Sequence, residues 1–334
     1  HGFGKYRPDP RLLNWAPHRY GFGDRAEAIA ALKEVLTFHD ETVTAVFGAW
    51  WVACVLKPQI HQVTSQFPFM ALEAPSESGK TTGFFPMMPQ LGGNTRGQID
   101  PTRASLRDFI SAHQSGIVWI DDLSDTGYLM DLLRQATGEG SVAKKGEDRM
   151  SQEVVRLVAP ICISGEALQL HHQKALMDRA VMIDVPSPTS RRSRHDATRK
   201  QWLDILDMKA KHPDLSVFSG TLVAEILSRK GMVSDIPSLV PETHGRWGDK
   251  IAVIRMGALL LADIVDDSSI VDRVEAWVDE QEYFGNENTL TMKIIPTALG
   301  RTGSPTKPKG PEGRRPSTPV FVMNCNTEAG TGDV

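Results

Sequence analysis

One segment constrains this chain more than any other: Ala74, Pro75, Ser76, Glu77, Ser78, Gly79, Lys80, Thr81 and Thr82, in that order. It follows an apolar run of strand length at 67–73 and precedes a helical stretch. The order matches the phosphate-loop pattern GxxxxGK[ST], with Ala74, another small residue, in place of the first glycine. Such a loop turns backbone N–H groups inward at the start of a helix, where they meet phosphate oxygens. On this reading residues 74–82 cradle the phosphates of ATP. Gly79 allows close approach, Lys80 bridges the β- and γ-phosphates, and Thr81 offers its hydroxyl to Mg²⁺. The competing reading, a chance Gly-Lys-Thr in a turn, does not account for the strand before it and the helix after it.

A second apolar run, Ile117-Val-Trp-Ile120, ends in Asp121 and Asp122. It lies about 40 residues after the loop, where P-loop NTPases carry the acidic strand end that holds Mg²⁺. Asp121 is the expected metal partner. Asp122 stands where many such ATPases have a Glu that polarises the attacking water, and it is the expected base despite being one methylene shorter. Alone, the pair would read as a solvated acidic turn; beside the phosphate loop it reads as a Walker B element.

A further strand at 156–163 is expected to deliver Ser164, then Gly165 and Glu166, to the carboxyl edge of the sheet, where open α/β sheets bind ligands. Ser164 there contacts the γ-phosphate or the attacking water as a sensor, or it belongs to a plain strand-terminal turn. Arg179, after Asp178 and before a strand at 181–185, reads as an arginine finger donated to a neighbouring subunit's nucleotide. Its alternative is a surface pair with Asp178.

Around these motifs the pattern alternates between short apolar runs and helical stripes, including helices at 101–113 and 128–135, which implies a parallel sheet covered on both faces. Before it, 1–23 is an irregular arm, and 25–38 and 41–56 carry helical stripes, the second ended by Lys57-Pro58. Trp50 and Trp51 fall in the second stripe and read as core. After Pro186 only helical patterns occur, at 197–211, 215–230, 250–266 and 270–283. The stretch 297–319 is rich in Gly, Pro, Lys and Arg and reads as a linker. The expected divisions are therefore 1–66, an arm and helical element; 67–188, an ATPase core; 189–296, a helical region; and 297–334, a flexible tail.

The 334 residues are 40% hydrophobic and 23% charged, which fits a globular chain and excludes fibrous or wholly disordered ones. A net charge of -4 excludes a globally basic nucleic-acid coat, so any such contact must be local. Cys54, Cys162 and Cys325 are far apart with no CxxC pair, which argues against a disulfide framework or a zinc ribbon and fits a reducing cytoplasm. No stretch is long and apolar enough to span a bilayer. The chain begins with His1 and shows no signal-peptide shape, so it reads as a fragment or a processed product. His171-His172 has no third metal ligand at suitable spacing. Arg246 and Arg255 are candidates for a second sensor arginine. The basic run from Arg191 to Lys200 reads as a solvated helix start.

With these motifs in order, 70–186 resembles the ATPase core of phage- and mobile-element-type replicative helicases: superfamily 3 and related primase-helicase-like ATPases. The residues that carry the resemblance are the phosphate loop, Trp119-Ile-Asp-Asp122, Gly138-Glu-Gly140 followed by Lys144-Lys145, Ile163-Ser-Gly-Glu166 and Asp178-Arg179. They cover about a third of the chain. The sequence departs from that pattern at Ser164, where Asn is common, and at Asp122. The resemblance implies a β-hairpin at 137–153 whose Lys144 and Lys145 grip single-stranded DNA in the central channel of a ring. A solvated basic turn is the alternative for this pair.

The expected fold is thus an α/β P-loop NTPase core of the RecA/AAA+ type, with an N-terminal helical element and a C-terminal helical lid. The expected activity is Mg-ATP hydrolysis coupled to movement on DNA, in a homo-oligomer, most naturally a hexameric ring, with no membrane partner. The alternatives are a P-loop ATPase that is not a helicase (a loader, packaging or defence ATPase) and a nucleotide-regulated binding module with little turnover.

Overall fold

Alternate residues of the central strands serve two different cores. In the computed structural model, Met70 and Leu72 join one apolar cluster, and Phe69 and Ala71 join the other. That two-sided burial is the mark of a parallel sheet covered on both faces. The structure describes residues 20–37, 39–75, 78, 83–92, 98–99, 102–113, 116–121, 129–138, 140–145, 152–166, 168, 170, 174–185, 215–241 and 245–286.

The strands are β1 (Phe69–Glu73), β2 (Gln98–Ile99), β3 (Val118–Asp121), β4 (Ser141–Lys145), β5 (Gln152–Arg156), β6 (Ile161–Gly165) and β7 (Ala180–Asp184). Five of them form a sheet in the order β2-β3-β6-β1-β7, with every pairing parallel. The other two, β4 and β5, form a separate antiparallel pair in which Lys144 is opposite Glu153 and Lys145 is opposite Gln152. Leu157 N–H donates to the Gly140 carbonyl at 2.9 Å and closes this hairpin at its base.

The helices before the sheet are α1 (Arg25–Leu36), α2 (Glu41–Val55) and α3 (Lys57–Ile60). Within the sheet region come α4 (Phe85–Gln90), α5 (Arg103–His113), α6 (Leu129–Thr137) and α7 (Lys174–Met177). After it come α8 (Ser219–Ser228), α9 (Ile236–Leu239), α10 (Arg246–Val265) and α11 (Ser269–Asn286). Asp24 caps α1 by accepting from Ala26 N–H and Glu27 N–H, and Asp40 caps α2 in the same way through Thr42 and Val43. From Val43 to Cys54 every residue of α2 is buried, as a helix must be that lies between a sheet and other helices. It packs on β7 and, most extensively, on α10. The indole of Trp50 donates to the Pro68 carbonyl at 2.8 Å, and Trp51 is equally buried. Cys54 and Cys162 are free, buried thiols whose pKa values are pushed up by burial.

Three sequence expectations change. Residues 156–163 do not form one strand: β5 ends at Arg156 and β6 begins at Ile161. Pro160, which has no N–H for a ladder, lies in the break. Ser164 is consequently inside β6 and not beyond it. Lys57-Pro58 ends α2 but at once opens α3, where Pro occupies the first turn that tolerates it. The expected helix at 197–211 and the linker at 297–319 lie outside the described residues.

His61, just after α3, has its pKa lowered from 6.5 to about 4 by burial, with the Lys57 ammonium adding to the effect. The unfolded chain takes up this proton near 6.5 while the folded chain refuses it. The contribution of His61 to stability is therefore fully present above that value and is lost as pH falls toward 4. Melting temperatures are expected to fall across this window, and His61→Gln is expected to flatten the dependence. An unchanged profile in the variant would remove His61 as the cause.

Candidate functional site

The phosphate loop leaves the sheet from a strand held on both sides. Ala74 N–H donates to the Gly165 carbonyl at 3.0 Å, and the Glu73 carbonyl accepts from Val185 N–H at 2.8 Å. Ala74 is buried, which suits a small residue at this position. Pro75 and Ser78 are described; Ser76, Glu77, Gly79, Lys80, Thr81 and Thr82 lie outside the described residues. Ser78 is 4% exposed, and its hydroxyl has no hydrogen-bond partner among the described residues.

Asp121 is the last residue of β3, and Ser164 is near the end of the adjacent β6. Ser164 Oγ donates to Asp121 Oδ1 at 2.6 Å and accepts from Trp119 Nε1 at 2.7 Å. The hydroxyl has one proton, so the indole N–H fixes its direction: it must point at the carboxylate. Since β6 lies between β3 and β1, Asp121 and the loop open at the same edge of the sheet. Asp122 lies outside the described residues, and Glu166 follows β6.

A hard, oxygen-only donor set fits Mg²⁺, which usually takes one or two carboxylates and completes its shell with phosphate and water. Asp121 supplies such a carboxylate, and Ser78, whose hydroxyl has no partner among the described residues, offers a further oxygen in the loop. Among the described residues no group of three or more His, Cys, Asp or Glu could hold a metal by itself.

Arg179 is at the other end of the sheet. Its carbonyl accepts from Phe69 N–H, at the start of β1, and its guanidinium bonds the Ala175 carbonyl. Burial lowers its pKa; Arg246 and Arg134 lower it further, and Asp178 opposes them. Arg179 is therefore at the opposite end of β1 from the loop of its own chain. Arg246 shares that end, because its carbonyl accepts from Gln66 Nε2 at 2.9 Å. Arg255 forms a two-pronged ion pair with Glu275 at 2.7 and 2.8 Å and also donates to the Leu239 carbonyl. The packing of α10 thus commits Arg255 to the helices and places Arg246 far from the loop, which corrects both as sensors for this chain's own nucleotide. Lys144 and Lys145 are the last two residues of β4, so they belong to a hairpin strand and not to a turn.

Sequence reasoning missed His39. Its Nδ1 accepts from Asp40 N–H at 2.7 Å, so the ring proton must be on Nε2, which is 3.1 Å from the Ser78 carbonyl. Burial lowers its pKa, which favours this neutral form. No local pattern announces a contact that spans 39 residues of sequence.

No protein-family model matches the sequence, and no curated protein matches it. Among solved structures, the SCCmec type IV Cch active helicase is similar at 14% identity, with a TM-score of 0.57. The match covers 84% of this chain and 54% of that one, so the chain spans about half the length of that helicase. An inhibitor-bound JCV helicase matches at 13% identity over 87% of this chain and 75% of that one, but its TM-score of 0.31 carries no argument. The chain has an α/β fold like that of a helicase. Among the described residues no helix is long and apolar enough to cross a membrane.

Proposed function

We propose that the chain is the Mg-ATP-hydrolysing motor of a helicase or translocase, of the phage or mobile-element replication type, acting on single-stranded DNA as a ring of identical subunits, six in number. The hydrogen-bonded chain Trp119–Ser164–Asp121 carries this reading. It sets a carboxylate at the edge where the phosphate loop opens. The shared fold with a helicase supports it, as does the hairpin between α6 and β6.

In this reading the loop amides of 74–82 and Lys80 bind the ATP phosphates, and Thr81 and Asp121 hold Mg²⁺. The ion neutralises charge on the β- and γ-oxygens. Ser164 holds Asp121 in one orientation. Asp122 positions the water for in-line attack, and Arg179 reaches the nucleotide of the adjacent subunit, which its place at the far end of the sheet favours. Residues 67–188 form the motor core, with 1–66 and 189–296 as its helical parts and 297–334 as a tail. Lys144 and Lys145 meet the DNA phosphates, since a ring repeats the pair around a channel. The motor works in the cytoplasm.

ATP turnover measured with and without single-stranded DNA, together with displacement of a labelled strand, tests the proposal. DNA is expected to stimulate turnover. The double variant Lys144→Ala/Lys145→Ala is expected to lose that stimulation and to show a shallower salt dependence of DNA binding. Unchanged affinity and slope in this variant would remove the hairpin from DNA binding. Stimulation by a protein partner alone would make the chain a loader.

A further inference from the structure

The two ends of α2 touch the two candidate functional elements. Before its first turn, His39 donates from Nε2 to the Ser78 carbonyl in the phosphate loop. Just past its last turn, the buried Lys57 ammonium donates to the Ala136 carbonyl at 3.0 Å and the Ala159 carbonyl at 3.2 Å. Ala136 lies in the last turn of α6, just before the hairpin, and Ala159 lies just after it. One ammonium therefore holds both roots of the hairpin. Between the two contacts run 15 helical residues, roughly 22 Å at 1.5 Å per residue. That helix is buried along its length and carries Trp50 and Trp51, so it moves as a body.

We infer that α2 is a strut that couples the two elements, with His39 positioning the phosphate loop at one end and Lys57 positioning the hairpin at the other. The inference rests on the nucleotide and DNA reading above. A phosphate loop works with its N–H groups turned in and its carbonyls turned out, and a donor fixed behind one carbonyl favours that arrangement. At the far end, a 3%-exposed ammonium is costly to bury, and its two carbonyl partners offset part of that cost. Two carbonyls that flank a single insertion give it a use beyond stability. If nucleotide binding shifts the loop, the rigid helix carries the shift to the hairpin roots. By linkage, DNA on the hairpin then alters nucleotide affinity by the same factor.

The test measures the factor by which a saturating non-hydrolysable ATP analogue changes affinity for a fluorescent single-stranded oligonucleotide. The full chain and its His39→Ala, His39→Gln and Lys57→Met variants are compared with the double variant His39→Ala/Lys57→Met, each first shown to melt cooperatively. A wild-type factor of about tenfold is expected, within the usual range of coupling between sites. His39→Ala is expected to weaken nucleotide binding about fivefold, the worth of one hydrogen bond, and to bring the coupling factor below about twofold. His39→Gln, whose side-chain amide still offers a donor, is expected to restore both. Lys57→Met is expected to bring the coupling factor below about twofold with nucleotide affinity unchanged, and the double variant to lose no further coupling, because both residues serve one path. If Lys57→Met does not fold, Lys57→Leu, which likewise lacks a donor, takes its place. A wild-type factor of one, wild-type coupling in both single variants, or losses that multiply in the double variant would overturn the strut. Failure of the wild type to bind nucleotide or DNA would overturn the functional reading, and the strut with it. Binding that Lys80→Ala abolishes, with coupling untouched at His39 and Lys57, would leave that reading standing and sink only the strut.

Discussion

Lys80→Ala is expected to reduce ATP turnover by at least ~100-fold, the usual loss when one preorganised charge is removed from a phosphoryl-transfer site. The expectation rests on position. Ala74 and Glu73 tie the start of the loop to β6 and β7, so the loop opens from a fixed point at the carboxyl edge of the sheet. Asp121 opens on that same edge, held by Ser164. A lysine six residues beyond Ala74 is the cation that such a loop directs at the β- and γ-phosphates. Turnover is measured by phosphate release, and folding is checked by the melting curve. Near-normal turnover in a folded Lys80→Ala protein would dismiss the loop as the ATP site.

Gly257→Ala is expected to destabilise the fold by about 3 kcal/mol, at the upper end of the range for overpacking. A Cβ at Gly257 would lie 2.1 Å from the Ala49 carbonyl oxygen and 2.8 Å from its carbon, both in the backbone of α2. Backbone within a buried helix cannot rotate away as a side chain can, so α10 would have to part from α2 along their shared length. Gly231→Ala is the control, because nothing lies within 4 Å of its Cβ position. It is expected to change stability by less than ~0.5 kcal/mol, as surface substitutions do. Urea midpoints of the two variants decide the matter; equal midpoints would show that the helices part at little cost.

What the sequence made legible was local. The strand before the phosphate loop, the acid at the end of β3, the helices α1 and α2 and the buried Trp50-Trp51 pair all announce themselves through short-range pattern. The two-residue β2 offers too little pattern to read with assurance. The division of 156–163 between a hairpin strand and a core strand depends on which neighbours each half finds, and an apolar run does not record that. His39 and Lys57 were invisible for a related reason. Their partners lie 39, 79 and 102 residues away, and only the path of α2 across the sheet brings them together. Arg246 and Arg255 show the converse: their place in the C-terminal helical region made them candidates, and helix packing gave them other partners.

The bond between Leu157 and Gly140 has a consequence for evolution and engineering. It seals the hairpin at its neck, so the chain leaves and rejoins the core at a single closed point. Whatever lies beyond that neck can lengthen or shorten without disturbing the order of the five core strands. Two residues added to each arm would extend the finger by about 7 Å, at the rise of an antiparallel strand. The pairing of inner and outer faces would be unchanged, because an even insertion preserves the two-residue period. The reach of the finger is thus a dimension that can be set independently of the five-stranded core sheet.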